Sequence, residues 1–123
     1  EAFSSYVRLN QKFHRLVTEL SESAVIVREL DKVASLPFAS PSGFVVVRAN
    51  SPRARDMLIV AQDQHRQVLD AIERREGARA ESIMREHARL AQRNLREALR
   101  SPDSDAVPGM RLIRKRNGSP DQT

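Results

Sequence analysis

At 123 residues, with 40% hydrophobic and 30% charged side chains, the chain has room for one domain with a modest core and hardly for two. Aromatics at 4%, no Trp and only four glycines argue against a β-sandwich or barrel, and the absence of cysteine excludes disulfides and thiolate metal sites and fits a reducing cytoplasm. A net charge of +5 does not by itself single out nucleic acid, because basic residues alternate with acidic ones, as in DAIERREGARAESIMREHARL. That is the pattern of a solvated helix surface, and only RLIRKR, at 111–116, is a concentrated basic run. Uninterrupted apolar runs reach four or five residues, too short to span a bilayer. The chain begins with Glu, so its natural start is expected to lie upstream.

Four helical segments follow in order. The first covers about residues 3–20, with Val7, Phe13, Val17 and Leu20 on its apolar side. Serine-rich punctuation at 21–23 introduces the second, to about residue 35, carrying Ile26, Val27, Leu30, Val33 and Ala34. LPFASPSGF then holds two prolines and a glycine in nine residues and cannot continue a helix; FVVV, at 44–47, reads as an extended connection. Ser51 as N-cap and Pro52 at the first helical position open the third segment, which Gly77 is expected to stop. The fourth runs from about 78 to 100, roughly 35 Å at ~1.5 Å per residue. Amphipathic helices with short connections predict an all-α fold, an antiparallel helical bundle over 1–100, followed by a flexible basic tail at 101–123.

The chain has three histidines, and each falls on an apolar stripe. His14 shares a face with Asn10 one turn earlier, at ~5–6 Å between Cβ atoms. His65 lies within Leu58, Ala61, Val68, Leu69 and Ile72, and His87 within Ile83, Met84, Leu90, Ala91 and Leu95. One inward histidine is ordinarily a satisfied core residue. Three unpaired imidazoles in one small core would each cost about 1–3 kcal/mol, which a shared divalent ion would relieve. Zinc, nickel, copper or iron all accept imidazole, and bundle cores build metal sites from facing helices. An inward Glu-x-x-His pair is lacking, and so is the second histidine of His-Glu-x-x-His.

LNQKFHRLVTEL, followed by AQDQHRQVLDAIERREGARAESIMREHARLAQRNL, resembles the effector-binding (FCD) domain of GntR-type bacterial transcription regulators, FadR branch. The matching features are Asn10 and His14, His65 with Val68 and Ala71-Ile72, and Met84 with His87, in that order. The resemblance implies a bundle that is N-terminally truncated here, with a metal held by Asn10, His14, His65 and His87. It implies a small carboxylic or sugar acid bound beside that metal. It also implies a homodimer whose winged helix-turn-helix head, absent from this chain, binds operator DNA. The family's commoner first ligand is Asp, so Asn10 supplies a neutral oxygen instead. LPFASPSGFV points to the branch of aromatic-acid regulators.

A divalent ion, zinc or nickel by preference, held by three neutral imidazoles and an amide keeps its charge uncompensated, which independently favours an acidic effector. Gln62 and Asn94, on the stripe sides of their helices, are the candidate effector contacts, or else structural hydrogen-bonders. Two other readings stand beside a sensor. Three histidines and an open position could activate water in a metal-dependent hydrolase, although no inward carboxylate stands by as a base. A metal-free dimerisation bundle with packed histidines is the other. A sensor that is not an enzyme and carries no membrane anchor is the leading expectation.

Overall fold

A computed structural model describes residues 2–36 and 52–100. Among them are four helices, α1 (Ala2–Glu19), α2 (Ala24–Ala34), α3 (Pro52–Glu73) and α4 (Gly77–Leu99), and no strand. The fold is all-α, as the apolar periodicity predicts. Ser51, the extended connection at 44–47, the basic run at 111–116 and the rest of the tail lie outside the described residues.

The serines after α1 act as expected. Ser23 is extended at φ −114°, and its side chain accepts a hydrogen bond from the Ile26 backbone N–H at 3.3 Å, capping α2. Between the helices Glu22 takes φ 51°, a left-handed turn that redirects the chain.

α3 and α4 form an antiparallel hairpin, the main packing unit of the described chain. Partner numbers descend on α4 as they ascend on α3: Arg53 pairs with Glu97, His65 meets His87, and Asp70 pairs with Arg79. The turn joining them differs from expectation. α3 ends at Glu73, and Arg75, not Gly77, takes the left-handed conformation, at φ 58°. The Glu76 N–H donates to the Ala71 carbonyl at 2.8 Å and the Arg75 N–H to the Ile72 carbonyl at 3.0 Å. This pair of bonds is a Schellman cap, which satisfies carbonyls that the last turn would otherwise leave open. Gly77 is instead the first residue of α4.

A left-handed L-residue costs roughly 1–2 kcal/mol, whereas a Cβ added at Gly77 would meet nothing within 4 Å. Arg75→Gly is therefore expected to stabilise by up to about 1 kcal/mol after glycine's greater unfolded-state entropy is subtracted. Gly77→Ala should add about 0.4–1 kcal/mol. Urea denaturation of the two variants reads both, and a loss of stability in Arg75→Gly would contradict the strain.

The buried apolar side chains among the described residues are Val68, Ala71 and Leu90, joined by the buried polar Asn10, His65 and Asn94. Several stripe residues expected to point inward are exposed instead: Leu20 just after α1, Ile26, Leu30 and Val33 on α2, and Leu69 and Ile72 on α3. The physical reason is one of width. The apolar stripe of each helix is broader than the strip that its described neighbours cover, so its margins stay open.

Candidate metal centre

His65 lies in the middle of α3, 3% exposed, because it and Val68 occupy the strip of α3 that faces α4. The hairpin register sets it opposite His87 of α4, with their Nε2 atoms 3.2 Å apart. α1 brings in the third ring: His14 is centred 5.1 Å from His65 and 5.3 Å from His87. One ligand atom from each of His14, His65 and His87 can be chosen so that all lie within 4.8 Å of one another. Phe13 stacks on His65, with ring centroids 4.1 Å apart and planes 24° from parallel, which fixes the plane of that imidazole.

These nitrogens fit a metal. Zinc–imidazole bonds of ~2.0–2.1 Å in a tetrahedron place neighbouring ligand nitrogens about 3.3 Å apart, and His65 and His87 already stand at that separation. The protonation state fits too. Burial, reinforced by His87, holds His14 down at about 4. Burial, then His87 and His14, holds His65 down at about 3, and burial lowers His87. At neutral pH all three rings are uncharged, the form that coordinates a cation.

Asn10 is buried, one turn before His14 on α1. It lines a cleft of about 160 Å³ together with Tyr6, Phe13, Gln62, His65 and Arg66. Burial raises the Tyr6 phenol. A second, larger cleft of about 620 Å³ opens at His14, between α1 and α2, and reaches Met84 on α4. Gln62 thus stands in one wall with Asn10 and His65, whereas Asn94 lines neither cleft. The Asn94 Oδ1 is buried without a hydrogen-bond partner among the described residues.

Reasoning from the sequence missed Gln64. Its Oε1 lies 3.0 Å from the His87 Nδ1, on the ring edge away from His65. It also missed the stacking role of Phe13 and the placement of Arg66 beside Gln62. Arg66 could have been found four residues after Gln62, on the same face of the helix; Gln64 carries no such signal.

The family model of the FCD domain matches residues 1–90, a span that holds all three histidines. Searches of curated proteins and of solved structures each give no match.

Proposed function

The chain belongs to the FCD domain family, the effector-binding domain of GntR-type transcription regulators, and from that premise we propose that it senses a small carboxylic acid beside a divalent metal. An FCD domain is a regulatory module of GntR-type proteins. The observation that carries the metal reading is the convergence of His14, His65 and His87 from three helices within 4.8 Å. These three would hold the ion, zinc or nickel by chemistry, with Asn10 supplying an amide oxygen. The bound ion would offer a positive, open coordination position to a carboxylate.

The smaller cleft suits such an effector. Arg66 and Gln62 line it together with His65, residues able to meet a carboxylate, and its size favours an acid of a few carbons. Asn94 is proposed as a further effector-side residue, its buried Oδ1 having no hydrogen-bond partner among the described residues. The exposed Leu9, Leu16, Leu20, Ile59 and Val60 offer apolar surface to a second copy, consistent with a homodimer. Membership of the FadR branch, control of operator DNA through a winged helix-turn-helix outside this chain, and a cytoplasmic location complete the proposal. So does the division into a sensing bundle at 1–100 and a tail at 101–123.

A thermal-shift screen of small carboxylic acids, with and without chelator, tests it. Ligands that bind only the native state raise stability by RT ln(1 + [L]/Kd), about 2.7 kcal/mol at a hundredfold excess over Kd. Stabilisation by an acid that vanishes on chelation is the expected result; no acid acting in either condition would overturn the reading.

Asn10→Asp separates ligation from mere support of His14. A carboxylate there adds negative charge at the ion, so metal affinity is expected to rise by roughly tenfold while affinity for an acidic effector falls. Calorimetric titration of zinc and of the effector into both proteins reads the two changes. Parallel changes would count against direct ligation.

A further inference from the structure

His87 is held at both nitrogens by consecutive residues of α3. His65 faces its Nε2 at 3.2 Å, and the Gln64 Oε1 faces its Nδ1 at 3.0 Å. An amide oxygen can only accept, so the contact requires a proton on Nδ1. A neutral imidazole carries one ring proton. Its Nε2 is then the bare nitrogen, and it is turned toward the His65 Nε2 at 3.2 Å.

We propose that Gln64 is a positioning residue that locks His87 in the Nδ1–H tautomer and so keeps the Nε2 lone pair aimed into the three-histidine cluster. The position of Gln64 follows from helix geometry. Adjacent residues on a helix are separated by ~100°, so when His65 points into the cluster Gln64 is turned toward the flank of α4, at the outer edge of the His87 ring. Metal-binding histidines ordinarily have the remote N–H fixed by an acceptor, and loss of that acceptor typically costs 10–100-fold in affinity. An amide is a neutral acceptor: it fixes the tautomer without adding the negative charge that a carboxylate would. The inverted amide, with its NH₂ toward Nδ1, would force the proton onto Nε2 and close the ligand position.

The inference rests on the metal reading for its consequence, but the tautomer can be read without any metal. Long-range ¹H–¹⁵N spectra of the metal-free protein at neutral pH distinguish the two ring forms of His87. The Nδ1–H form is expected in the wild type and in Gln64→Glu, with a shift toward Nε2–H in Gln64→Leu. Competition with a chelator then reads zinc affinity: Gln64→Leu is expected to lose 10–100-fold and Gln64→Glu to match or exceed the wild type. A wild-type His87 protonated on Nε2, or a Gln64→Leu protein with unchanged tautomer, would overturn the assignment. Gln64→Glu keeps the acceptor, so it supports or refutes the role even if Gln64→Leu folds poorly. A wild type that binds no zinc would sink the metal reading alone, since the tautomer result decides the role of Gln64 independently.

Discussion

Replacing His65 with alanine is expected to remove tight zinc or nickel binding while leaving the four helices in place. Structural zinc sites are worth about 10–16 kcal/mol in apparent binding free energy. Shared among three or four ligands, that is about 2.5–5 kcal/mol per ligand, or roughly two to four orders of magnitude in Kd. His65 is the ring with most to lose. It is the buried one of the three, it stands nearest to His87, and Phe13 holds its plane. His65→Ala also deletes a stacked ring from the hairpin core, so the metal-free variant should itself lose stability. Calorimetry with each ion, paired with denaturation of the metal-free protein, separates the two effects. An unchanged Kd for zinc would show that the three rings are only packed.

The metal-free protein is expected to lose stability steeply on mild acidification. Each imidazole titrates lower in the folded chain than in the unfolded one: His14 at about 4 and His65 at about 3, both from an ordinary value near 6.5, with His87 also lowered. Between those limits the unfolded state binds more protons, so stability rises with pH. The full contribution is present above about 6.5 and drains away as pH falls toward the folded values. The slope approaches about 1.4 kcal/mol per pH unit for each histidine. Mutual repulsion is shared among the rings, and His14 and His87 are partly open to solvent, so the cluster should cost a few kcal/mol in total. The window from about 6.5 down to 5 is diagnostic because carboxylates scarcely titrate there. Urea midpoints measured across it should fall in the wild type and fall less in His65→Gln. A flat wild-type profile would contradict the burial of these rings. Added zinc should oppose the loss at the upper end, where protons and metal compete for the same nitrogens.

The histidine cluster was legible because a 3.6-residue period reports which residues share a face, and each histidine sat on an apolar one. The hairpin was legible for the same reason, with two long amphipathic segments separated by a short break. The position of that break was not. Gly77 looks like a helix terminator, but Arg75 accepts the left-handed conformation two residues earlier, in a cap whose backbone bonds need no particular side chain. Gln64 was illegible because it lies off the stripe; only the register between α3 and α4 shows that it meets the outer nitrogen of His87. The exposure of Leu20 and Leu69 escaped for a third reason: periodicity marks an apolar face without saying how much of it a neighbour covers.

The antiparallel hairpin also determines how the centre assembles in time. His65 and His87 are separated by about twenty residues of chain, and His14 and His65 by about fifty. Loop-closure entropy makes the nearer encounter the faster, and the tight turn at Arg75 shortens that search further. A two-nitrogen half-site on the hairpin is therefore expected to precede the arrival of α1. An ion caught there would act as a tether when His14 joins it. The longer closure is the larger entropic constraint on the unfolded chain, about 4 kcal/mol if the link were as rigid as a disulfide. The docking of α1 thus becomes the step that an ion, and any acid bound to it, has the most leverage to hold or release.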